Sequence, residues 1–240
     1  MIHQTGCLIC GEPLEYLEQS ISMTCFLCKT PHSSNTRCAD GHFICDACHS
    51  GSANDWVERM CLSSDSTDPI QLANTLMHFP GVNMHGPEHH FLVPAVLLTV
   101  YCNLTGRQAD KPALVEKARK RAETVPGGHC GFFGTCGAGV GAGIYMSVLL
   151  GATPLSTREW SLANLITARC LTRIGEIGGP RCCKRDTYIA LQEAAAFTTA
   201  NLDVEMNLST PVCDFSPMNH QCLQAACPFN PMNENARQTG

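Results

Sequence analysis

The chain has 240 residues, 15% of them charged, a formal net charge of −5 and 17 cysteines. That length holds one medium domain with a small one beside it, and it leaves room for a sizeable core. The acidic balance, the lack of a long Lys/Arg run and the nine Phe, two Trp and four Tyr argue against a nucleic-acid partner held by bulk charge or by stacked bases.

The opening "MIHQTGCLICGEPLEY" has neither the positive start nor the apolar core of a secretory signal. An odd cysteine count without an export signal predicts reduced, metal-ligating thiols in a cytoplasmic protein, best suited to an anaerobic cell. The first fifty residues contain seven of these cysteines. They form the pairs Cys7/Cys10 and Cys25/Cys28, followed by "CADGHFICDACH", which supplies Cys38, His42, Cys45, Cys48 and His49. A Cys-x-x-Cys turn presents two thiolates to one ion, and tetrahedral zinc takes four ligands. Cys7, Cys10, Cys25, Cys28, Cys38, His42, Cys45 and Cys48 therefore predict two closed, structural zinc sites. Two pairings are open. A sequential one places the first four ligands on one ion and the last four on the other; a cross-braced one interleaves the pairs, and "CADGHFICDAC" is similar to the centre of a RING-type module. In either case metal supplies folding energy that so short a segment cannot obtain from apolar burial. Such a module also offers a docking face for a protein partner.

From about Ala53 the texture is helical. "DPIQLANTLMHF" opens with an Asp-Pro start signal, "FLVPAVLLTVYCNL" reads as a buried helix, and "DKPALVEKARKRAETV" as an amphipathic one with Asp110 at its N-cap. "HCGFFGTCGAGVGAG" packs two cysteines and many glycines ahead of the apolar "IYMSVLLGATPL". The stretch from Gly137 to Leu155 is uncharged but rich in Gly, Ala, Ser and Thr, which predicts a helix buried between helices and no membrane span. "STREWSLANLITARCLTRIGEI", with Cys170 expected at a helix end, and "CKRDTYIALQEAAAFTTANLDV" complete the helices; alternating β-type runs are scarce.

Beyond residue 100 the cysteines are widely spaced and flanked by glycines, which suits an iron–sulfur cluster better than zinc because a cluster is bulky and accepts thiolates from distant points. The run "HCGFFGTCGAGVGAGIYMSVLLGATPLSTREWSLANLITARCLTRIGEIGGPRCCKRD" resembles the iron–sulfur L-serine dehydratase α domain, shared with L-cysteine desulfidases. That resemblance implies a [4Fe-4S] cluster on Cys130, Cys170 and Cys182, with Leu149, Leu150 and Gly151 at the family's turn and Arg185 after the last ligand. The family's Cys-Asp-Pro after the second ligand is here Cys170-Leu171-Thr172. "MHGPEHHFLVPAVLLT" and "GHFICDACH" are also similar to a cysteine-rich family of anaerobic archaea and bacteria, which implies no activity.

Three thiolates leave one iron open as a Lewis acid, and the resemblance then implies a lyase that eliminates water or sulfide from a small hydroxy- or thiol-amino acid. His85, His89, His90 and His129 are the base candidates. The tail thiols Cys213, Cys222 and Cys227 are expected to gate the open iron or to supply a fourth ligand. Cys136 reads as a small buried side chain, and Cys183 is expected to point away from Cys182. The alternative function is a non-catalytic cluster or sulfur carrier that docks a partner through its zinc module. The expected architecture is a zinc-binding module, zinc ribbon or cross-braced, over residues 1–52. A mainly α-helical domain resembling the serine dehydratase α domain follows over 53–210, with a cysteine-containing tail over 211–240.

Overall fold

The computed structural model describes residues 7, 9–10, 12–26, 28–45 and 52–233. A two-stranded antiparallel hairpin comes first, β1 (Leu14–Thr24) against β2 (Pro31–Cys38). Its register pairs Leu14 with Cys38 at one end and Thr24 with Pro31 at the other, with an irregularity between Tyr16 and Ile21. Most of β1 is exposed, so no alternation of apolar and polar residues announces it. The hairpin is instead framed by the cysteine pairs at its two ends.

Among the described residues eight helices follow: α1 (Ala53–Ser63), α2 (Pro69–Met77), α3 (Glu88–Leu104), α4 (Lys111–Ala122), the single turn α5 (His129–Phe132), α6 (Gly137–Leu150), α7 (Arg158–Ile177) and α8 (Cys183–Leu202). Ser52 caps α1 through a reciprocal pair of bonds with Asp55. The Asp68 carboxylate accepts from Ile70 N–H and Gln71 N–H at the start of α2, as the Asp-Pro signal predicts. Asp110 does stand at the N-cap of α4, but its carboxylate pairs with Arg107 and makes no cap bond.

Helix α3 is apolar on all sides and buried along nearly its whole length, which makes it the central element. Helix α6 packs between α3 and α7, and two glycines permit the approach. A Cβ on Gly141 would lie 3.0 Å from the His90 carbonyl oxygen and from Pro94 Cδ on α3. One on Gly143 would lie 2.0 Å from Thr167 Oγ1 on α7. The glycine-rich run is thus largely a packing device of the buried helix. No helix among the described residues is long and apolar enough to cross a membrane.

The sequence expectation for Cys170 requires a correction. Helix α7 runs past it to Ile177, because nothing between Leu171 and Ile177 breaks a helix before Gly178 closes it. Cys170 is therefore a mid-helix core residue, fully buried, with its thiol directed at the Ala190 carbonyl oxygen of α8. After α8 the chain has little regular structure. It turns back to α2, where Asn207 N–H donates to the Thr67 carbonyl (3.1 Å) and Ser209 bonds the Asp68 carboxylate. It then closes on itself through Cys213 N–H and the Phe229 carbonyl (2.7 Å).

Candidate metal centres

The hairpin places four of the expected zinc ligands at one site. Cys7, Cys10, Cys38 and His42 have ligand atoms all within 4.8 Å of one another, with Cys10 Sγ 3.4 Å from Cys38 Sγ and Cys38 Sγ 3.5 Å from His42 Nδ1. Backbone N–H groups of Ile9 and Asp40 point at the Cys7 and Cys38 sulfurs, as in a turn built to present thiolates. Cys25, Cys28 and Cys45 form a second group at the same spacing. Hydrogen bonds from the Thr30 hydroxyl and backbone N–H bring the Cys28 thiol down to about 5, so it is ready to act as a thiolate. The first knuckle meets Cys38 and His42 while the second meets Cys45, so the pairs interleave. The sequential pairing is excluded because Cys7 and Cys10 lie with β2's C-terminal end, and Cys25 and Cys28 at the hairpin's turn. Cys48 lies outside the described residues. Both groups can hold a metal ion.

A different set of thiols converges in the helical domain. Cys182, the residue before α8, and the tail residues Cys213, Cys222 and Cys227 all line one cavity, walled by Met84, Phe215 and Leu223. Cys182, Cys213 and Cys227 are buried. The free space between the side chains is small, about 10 Å³. Donors surround the sulfurs: Asn219 Nδ2 lies 3.5 Å from Cys182 Sγ, Gln224 N–H donates to Cys222 Sγ at 3.3 Å, and Asn230 Nδ2 lies 3.7 Å from the same sulfur. Burial pushes the Cys213 thiol up to about 11 and raises Cys182 and Cys227, against the backbone N–H groups that favour their thiolates.

The expected trio Cys130, Cys170 and Cys182 is dispersed. Cys130 lines a second cavity with Cys136, Cys170 lies in the α7–α8 contact, and Cys182 joins the tail thiols. None of the base candidates lines either cavity. His89 has both ring nitrogens engaged, Nε2–H donating to the Asn83 carbonyl and Nδ1 accepting from Thr187, and burial pulls it to about 3, so it stays neutral. His90 donates to the Val125 carbonyl and fills the space over Gly137. His129 stacks on Phe133 at 4.5 Å. His85 alone is linked to a thiol site: its Nε2–H donates to Asn219 Oδ1 at 3.3 Å, which leaves Nδ1 buried without a partner.

Sequence reasoning passed over Asp186. It is buried beside Arg185, whose Nε is 3.0 Å from Oδ1, and its Oδ2 lies 3.6 Å from Cys136 Sγ. Burial raises the Asp186 carboxyl despite that arginine. Arg185 lines both cavities and so forms their common wall. The single clue in the sequence was the "CCKRD" run, which puts a charged pair in the first turn of a helix that starts at two cysteines. Cys183 does turn away from Cys182: it does not line the tail-thiol cavity, and its sulfur accepts from Gly86 N–H.

A family model described as "Family of unknown function (DUF5714)" matches residues 57–230. The match includes all four converging cysteines of the helical domain and none of the N-terminal ligands. No curated protein and no solved structure matches the chain.

Proposed function

The chain belongs to the DUF5714 family, and we propose that it is a metalloprotein whose helical domain holds a [4Fe-4S] cluster on Cys182, Cys213, Cys222 and Cys227. The observation that carries this reading is the convergence of four thiols, from positions up to 45 residues apart in sequence, on one donor-lined cavity. A single zinc ion would hold its sulfurs about 3.8 Å apart, from Zn–S bonds of about 2.3 Å. The N-terminal groups meet that spacing, whereas no three of these four thiols lie within 4.8 Å of one another. A cluster spreads its ligands wider. The space between the thiols is small, so seating it requires the tail to move outward, and that segment has only two short 3-10 turns, Ser216–Met218 and Gln224–Ala226, to hold it.

Such a group supplies one-electron transfer. The chain's own part is to exclude water with Met84, Phe215 and Leu223, to hydrogen-bond the sulfurs from Asn219, Gln224 and Asn230, and to set the Arg185 charge beside the thiolates. Four protein thiolates favour a cluster carrier or accessory protein over a lyase with an open iron, and the buried, fully bonded His89 points the same way. The interleaved N-terminal groups suit two structural zinc ions, the second completed by Cys48, in a module that docks a protein partner.

Anaerobically purified full-length protein tests this by elemental and sulfide analysis with electron paramagnetic resonance. About four iron and about four sulfide per chain are expected, beside about two zinc, with no ammonia or pyruvate released from serine or cysteine. Zinc without iron would overturn the cluster, and turnover would restore the lyase.

A further inference from the structure

A cavity of about 590 Å³ opens between the α5 turn, the C-terminal half of α7 and the start of α8. We propose that it binds a small molecule with an apolar body and a single acidic group. Leu171, Ile174 and bare glycine backbone make most of its wall apolar, and its volume falls in the range of small-molecule sites. Its charges do not balance. Arg185 and Asp186 are buried and paired with each other, whereas Arg181, exposed at the cavity, makes no hydrogen bond or ion pair among the described residues. Two arginines against one aspartate leave one positive charge for a ligand's carboxylate, phosphate or sulfonate to neutralise. Cys130 stands on the same wall, so occupancy can be read at its thiol. Through Arg185 the bound acid sits one side chain from the tail thiols. The inference goes beyond the metal reading and does not depend on which metal Cys182 holds.

The probe is 8-anilinonaphthalene-1-sulfonate, an apolar ring system with one acidic group, titrated into full-length protein with metal content measured on the same samples. Saturable fluorescence with protection of Cys130 from iodoacetamide is expected. Arg181→Ala should weaken binding about tenfold, the scale of a lost charge-assisted contact. Gly175→Trp should abolish it. A Cβ at Gly175 meets nothing within 4 Å, so the indole enters open space and thermal stability should be kept. Dye binding that ignores both substitutions, as it would on the exposed rings of Phe133 and Trp160, neither of which lines the cavity, would overturn the proposal whatever the metal analysis gives. So would alkylation of Cys130 at an unchanged rate under saturating dye.

Discussion

Replacing Gly143 by alanine probes how α6 is wedged against α7. The new Cβ would stand 2.0 Å from Thr167 Oγ1 and 3.2 Å from the Ala163 carbonyl oxygen. Thr167 can yield only by rotating its hydroxyl away from Ala163, to which it donates at 2.9 Å. That loses a hydrogen bond worth about 1 kcal/mol and adds overpacking of about 1–3 kcal/mol, against a helix-propensity gain of about 1 kcal/mol. The net cost is about 2 kcal/mol, which lowers the melting temperature by about 4–8 °C in a domain of this size. Adding Thr167→Ala removes the clashing oxygen and should recover at least half the loss. Gly175→Ala, on an open face of α7, should instead be neutral or stabilising. Circular-dichroism melts of the three variants are the assay. A Gly143→Ala protein that melts with or above the parent, or a double variant without recovery, would refute this packing argument.

Chelation that removes the two proposed zinc ions should open residues 12–45 to protease and leave helical circular dichroism nearly unchanged, because structural zinc supplies on the order of 10 kcal/mol to such modules; a collapse of the helical signal would count against it. The His78–Asp214 pair, 2.8 Å apart, pins the tail to the end of α2. Its hydrogen bond to Asp214 raises His78, and its bond to His78 lowers Asp214. A raised histidine contributes stability that is full below its unfolded pKa of about 6.5 and is lost as pH rises through the folded value. A lowered aspartate contributes above its unfolded value of about 3.9 and loses this as pH falls. Both side chains are more than a third exposed, so the pair is worth under about 1 kcal/mol. Denaturation across pH 4 to 8 should show this contribution in the parent and not in Asp214→Asn; identical profiles would contradict it.

Six of the helices were legible because each carries its own signal: Asp68-Pro69 starts α2, and the unbroken apolar run of α3 and the small residues of α6 mark central, buried helices; α1 and the single turn α5 were not singled out. The ligand sets were less legible. Knuckle spacing pointed to N-terminal residues that do lie close enough together to hold a metal ion, but their interleaving follows from where β1 and β2 place them, and the hairpin has no apolar alternation to announce it. In the helical domain the resemblance pointed to Cys130, Cys170 and Cys182. Linear spacing cannot say that Cys170 is turned inward on a helix that continues, or that the tail folds back so that Cys213, Cys222 and Cys227 reach Cys182. Those contacts are long-range, made by a segment with almost no regular structure. Asp186 was hidden for the same reason, since a carboxylate in a helix's first turn is ordinarily a solvated one.

The most direct test is the iron content of single cysteine-to-serine variants prepared anaerobically, because hard serine oxygen replaces thiolate poorly on iron. Cys182→Ser, Cys213→Ser, Cys222→Ser and Cys227→Ser should each lose most of the iron and sulfide, while Cys130→Ser and Cys170→Ser should keep them. Iron retained in the tail variants but lost from Cys130→Ser and Cys170→Ser would contradict the account and return the cluster to the dispersed trio.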